Sequence, residues 1–93
     1  MDTDSFGSVF EALANTPAEA ANLKARSTLL TALKRRILSW ELTQEAAAAR
    51  LGITRPRLND LLRGKLSKFS LDALVNIAAS AGLSIEIRIA EAA

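Results

Sequence analysis

The sequence predicts an all-α domain closed by one short β-strand, and three observations carry that reading. Ala supplies 18 of the 93 residues, so the 49% hydrophobic content favours helix more than it supplies buried area. No Gly or Pro interrupts the stretch from Ala18 to Leu51, and apolar residues recur through it at helical spacing. After Gly82 the period changes to two: Leu83, Ile85, Ile87 and Ile89 alternate with Ser84, Glu86 and Arg88.

A chain of 93 residues buries one modest core. The expected organisation is an N-terminal arm over 1–16, a helical domain over 17–82, and a terminal strand and tail over 83–93. With no Cys there is no disulfide or thiolate metal site, and with no His the commonest acid–base and metal-binding side chain is missing. The acids are scattered and no Gly-rich phosphate loop appears, so an enzyme is set aside and no cofactor is expected. No apolar run approaches the roughly 18 residues of a membrane span, which gives the expectation of a cytoplasmic protein without a membrane partner. The net charge of +2 hides an asymmetry, because residues 1–22 carry four acids and no base while 23–68 carry eleven bases against three acids. A basic middle of this kind points to a polyanion.

In chain order, Phe6, Val9, Phe10 and Leu13 come first and fall at i, i+3, i+4 and i+7, one apolar stripe on a short helix. Such a stripe either folds back on the chain's own core or orders in a groove on another protein, so these four are the candidate partner-binding residues. Thr16 caps the next helix, Pro17 suits its first position and Glu19 completes a capping box. Leu23, Leu30, Leu33, Ile37 and Trp40 mark one face of a helix from about Pro17 to about Trp40, with Trp40 read as core. Lys34, Arg35 and Arg36 lie largely off that face and are read first as solvated and second as phosphate contacts.

Thr43 starts a second helix and Gly52 closes it; Thr54 caps a third, which tolerates Pro56 in its first turn and ends at Gly64. Ala47 and Ala48 before Gly52, with Leu58 and Leu61 after it, let two short helices cross closely about a turn that contains Gly. This is the pattern of a helix-turn-helix, and its third helix projects Arg55, Arg57, Asn59 and Arg63 away from the apolar seam. Lys65 and Lys68 flank the loop that follows. Ser70 caps a fourth helix, with Leu71, Leu74, Val75, Ala78 and Ala81 facing inward and Gly82 as its stop.

Leu83–Ile89 reads as a half-buried strand with no second strand to pair with. A two-fold dimer relieves that, two copies forming an antiparallel ribbon through Ile85, Ile87, Arg88 and Ile89. With Ile87 on the dyad, Glu86 faces Arg88 of the other chain twice, whereas a dyad at Glu86 opposes two carboxylates.

The stretches LTQEAAAARLGITRPRLNDLLRGK at 42–65, FSLDALVNIAASAGLSIEIRI at 69–89 and SVFEAL at 8–13 resemble the Xre family of Cro/C1-type helix-turn-helix proteins. Within that family they are most similar to the HigA-like antitoxin subgroup. The resemblance implies a lambda-repressor-like domain, a homodimer on a double-stranded DNA operator, and a small toxin protein as a further partner. It places Gln44 at the DNA backbone, Arg55 and Asn59 at base edges, Arg57 and Arg63 at phosphates or bases, and Lys65 and Lys68 at the backbone. With Thr54 at the cap these form the candidate DNA-binding set, and Pro56 departs from the polar residue common at its position. The chemistry of the side chains agrees: Arg spans the O6 and N7 of guanine and Asn pairs with the N6 and N7 of adenine, each for about 1–3 kcal/mol of discrimination. A ribbon dimer sets two recognition helices about 34 Å apart, or a multiple of it, and so reads a palindrome. The leading expectation is an antitoxin that represses its own operon. The alternatives are a phage-type or housekeeping regulator without a toxin, and a protein-interaction module that never meets DNA.

Overall fold

The computed structural model describes residues 16–91, and its regular structure over them is helical. Helix α1 runs Pro17–Ser39, α2 Gln44–Leu51, α3 Arg55–Leu62 and α4 Leu71–Ser80, with a 3-10 turn at Leu66–Lys68 between α3 and α4. The Phe6, Val9, Phe10 and Leu13 stripe lies outside the described residues.

Each of these four α-helices starts on a hydroxyl. Thr16, Thr43, Thr54 and Ser70 each accept from the backbone N–H three residues on, at 3.1 to 3.3 Å. A cap of this kind contributes about 1 kcal/mol. The ends of α2, α3 and α4 repeat one device, a pair of nested bonds: Ile53 N–H to the Ala48 carbonyl and Gly52 to Ala49, Lys65 to Asp60 and Gly64 to Leu61, Leu83 to Ala78 and Gly82 to Ala79. At Gly52 this sets φ to 72°, a left-handed conformation that strains any side chain. Helix α1 ends differently, the chain turning on Glu41 at φ 55°.

The core is one cluster in which Leu30, Leu33 and Ile37 of α1 meet Ala47, Ala48 and Leu51 of α2, Leu58 and Leu61 of α3, and Leu74, Ile77, Ala78 and Ala81 of α4. Phe69 completes it from the connection between α3 and α4 and is 1% exposed. Trp40, expected inside, packs on the rim of this cluster with the Arg50 guanidinium 4.1 Å above its ring. Val75, also expected inside, is 37% exposed, and Ile77 takes the inward place. At about 100° per residue Val75 stands a quarter turn away from Leu74, whereas Ile77, Ala78 and Ala81 return to Leu74's side of the helix.

The expected strand over Leu83–Ile89 does not form within one chain. Leu83 packs on the core, but residues 83–91 adopt neither helix nor strand, and Ile87 and Ile89 are 79% and 87% exposed. A ladder needs a second extended row of N–H and C=O groups, and the other described segments have committed theirs to helices and turns. Among the described residues no helix is long and apolar enough to cross a membrane.

Candidate nucleic-acid interface

Small residues on α2 let α3 approach. Ala47 and Ala48 are buried at the crossing, the turn passes through Gly52, and Leu58 and Leu61 of α3 close the seam from the other side. Burial of Leu58 and Leu61, each worth about 1.5–3 kcal/mol, fixes the rotation of α3 about its own axis. That rotation leaves Arg55, Asn59 and Arg63 at i, i+4 and i+8, a row rising about 6 Å per step along the outward side. Arg55 and Arg63 are exposed and Asn59 is half-buried.

Gln44 is exposed at the first position of α2. None of the side-chain hydrogen bonds or ion pairs among the described residues uses Gln44, Arg55, Asn59 or Arg63.

The other expected contact residues are engaged within the chain. The Thr54 hydroxyl accepts from the Arg57 N–H as the α3 cap. Arg57 lies with its guanidinium 4.4 Å from the Phe69 ring and donates through Nη1 to the Lys68 carbonyl at 3.3 Å. Lys65 and Lys68 both face Asp60, their Nζ atoms 3.4 Å from Oδ1 and 3.7 Å from Oδ2. These are the ion pairs among the described residues, and they share one carboxylate.

Two further arginines have internal roles that the sequence did not suggest. Arg26 donates through Nη1 to the Leu66 carbonyl at 3.0 Å and the Phe69 carbonyl at 3.4 Å, while its Nε donates to Asn22 Oδ1 at 2.7 Å. Arg36, expected to be solvated, donates through Nε to the Ala81 carbonyl at 2.9 Å and so holds the end of α4 to α1. A signal existed for Arg26, which occupies the apolar stripe itself, between Leu23 and Leu30. Together Arg26 and Arg57 hold the carbonyls of Leu66, Lys68 and Phe69, so the segment carrying both lysines is fastened from α1 and from α3. Ile85, Ile87, Arg88 and Ile89, the candidate dimerisation residues, all lie exposed on the segment after α4.

Two short helices crossing at small residues, the second presenting a row of Arg and Asn whose side chains have no partner among the described residues, define a helix-turn-helix protein of the class that binds DNA. The chain belongs to the family described as "Helix-turn-helix domain", which matches residues 12–90. That match spans residues 12–16 of the expected arm, the four described helices and most of the terminal segment. No curated protein matches the chain.

Proposed function

We propose that this protein is a sequence-specific transcriptional repressor that binds a palindromic operator as a dimer and serves as the antitoxin of a type II toxin–antitoxin pair. The observation that supports the DNA half is the row Arg55, Asn59 and Arg63 on α3, whose side chains make no hydrogen bond or ion pair to the described residues. In this reading Arg55 and Asn59 meet base edges, Arg63 meets phosphates or bases, Gln44 meets the DNA backbone, and Lys65 and Lys68 meet phosphates. Arg57 holds the lysine-bearing segment in place. The protein acts by binding and catalyses no reaction.

The dimer half is supported by the exposed Ile row of the terminal segment and by the self-complementary charges of Glu86 and Arg88. The toxin half is supported by the Xre and HigA-like resemblance and by the Phe6, Val9, Phe10 and Leu13 stripe. Selection of bound duplexes from a random pool tests the DNA half. A palindrome is the expected product, and no enrichment at low salt sinks the reading. On the selected duplex, Arg55→Ala loses about 1–3 kcal/mol while binding to random duplex changes little. Lys68→Ala weakens both alike and flattens the salt dependence. If the two variants bind both duplexes as the parent does, the surface is assigned wrongly. Co-expression with the product of the adjacent gene tests the toxin half: rescue of growth by the parent, lost on deleting residues 1–13, is the expected result.

A further inference from the structure

We infer that Asp60 is an internal competitor for phosphate: its carboxylate occupies Lys65 and Lys68 in the free protein and lowers the affinity of the α3 surface for every polyanion, whatever its sequence. The meaning of this for DNA rests on the function proposed above, but the contact itself stands on its own observations. From Ala46 to Leu71 the chain carries Arg50, Arg55, Arg57, Arg63, Lys65 and Lys68, and Asp60 is the single acid among them. It stands in the middle of that group, next to Asn59 and three residues from both Arg57 and Arg63.

The backbone prepares the contact. The Lys65 N–H donates to the Asp60 carbonyl to close the end of α3, which places Lys65 over Asp60. The 3-10 turn then brings Lys68 alongside, its carbonyl held by Arg57 and the neighbouring carbonyls of Leu66 and Phe69 held by Arg26. Each carboxylate oxygen takes one lysine, at 3.4 and 3.7 Å.

The lysine side chains are 39% and 56% exposed, so a phosphate reaches them without any rearrangement of the fold. The Asp60 side chain is 23% exposed, and pairs this near the surface are weak enough for that exchange to take place. A lysine that goes over to phosphate releases a counterion from the nucleic acid, and one that stays with Asp60 does not. Base-reading residues choose between sequences. Asp60 acts on the ionic contribution that all sequences share, so it sets the strength and the salt dependence of binding and leaves the preference unchanged.

Asp60→Asn keeps the size of the side chain and removes its charge. Melting by circular dichroism establishes that the variant is folded, and elution from heparin and binding to a random duplex at two salt concentrations read the effect. The variant is expected to leave heparin at higher salt than the parent, and to bind random and selected duplexes about threefold to tenfold tighter at about 0.1 M salt. Its log–log salt dependence is expected to steepen by about one unit. Asp72→Asn adds the same charge where no described lysine is paired, and should give less than half that gain. In a Lys65→Gln, Lys68→Gln background the Asp60 change should give no more than the Asp72 control.

Equal gains from Asp60→Asn and Asp72→Asn overturn the inference, because net charge then explains them. Weaker binding by a folded Asp60→Asn also overturns it, because Asp60 then serves to position the lysines. If Asp60→Asn melts below the assay temperature, Lys65→Gln and Lys68→Gln decide: each should lose less heparin affinity than Arg63→Gln, and an equal or greater loss defeats the inference. A parent that binds heparin but no duplex defeats the DNA reading alone, and the heparin arm still judges Asp60.

Discussion

The helix-turn-helix over Thr43–Gly64 and the terminal segment over 83–91 both carry plain apolar patterns, yet only the first completes itself in one chain. In α2 and α3 the backbone groups find partners within a few residues, the caps and nested end bonds serve the remainder, and the apolar faces close on Leu33, Phe69 and Leu74. In the terminal segment every second residue is apolar, but an extended chain must look to another strand for its hydrogen bonds. Local pairing makes a helix pattern sufficient evidence for a helix, whereas an alternating pattern is evidence for half of a structure.

Leu58→Ala separates the two regions most strongly. Leu58 is fully buried at the α2–α3 seam, so truncation should lower unfolding stability by about 2–5 kcal/mol in urea titrations. A loss below about 1 kcal/mol means that the seam does not hold the hairpin. Gly52→Ala tests the turn alone, because an added Cβ meets nothing within 4 Å and only the φ of 72° resists it. The expected loss is about 1 kcal/mol in the same titration, and an unchanged midpoint contradicts the left-handed turn.

Ile87→Lys should do least to the fold. At protomer concentrations where the parent is monomeric its unfolding should stay within about 0.5 kcal/mol of the parent's, because Ile87 is 79% exposed. At high concentration sedimentation should show the parent associating and the variant not. A variant as unstable as Leu58→Ala would make the terminal segment part of the domain core, and an association unaffected by the change would move the dimer interface elsewhere.

The parts legible in the sequence were those governed by neighbours along the chain. Thr16, Thr43, Thr54 and Ser70 cap as their positions suggest, the Gly positions close α2, α3 and α4, and Ala47, Ala48, Leu58 and Leu61 lie in the seam. The outward placing of Arg55 and Arg63 followed from that seam. Long-range pairing was not legible. Arg26 meets a carbonyl forty residues away and Arg36 one forty-five residues away, and no spacing rule links such positions. Arg57 was expected at phosphates or bases from the resemblance, and its contacts with the Phe69 ring and the Lys68 carbonyl, twelve and eleven residues away, are pairings that helical spacing does not give. The 3-10 turn at Leu66–Lys68 went unread for a similar reason, since side chains from α1 and α3 hold it in place.

Trp40 is the chain's single tryptophan, and its ring sits where α1 hands over to α2 beneath the Arg50 guanidinium. Its emission therefore comes from one corner of the molecule and responds to whether α2 keeps its seat against the end of α1. The protein carries its own optical gauge of hairpin docking, readable during unfolding or titration without any attached dye.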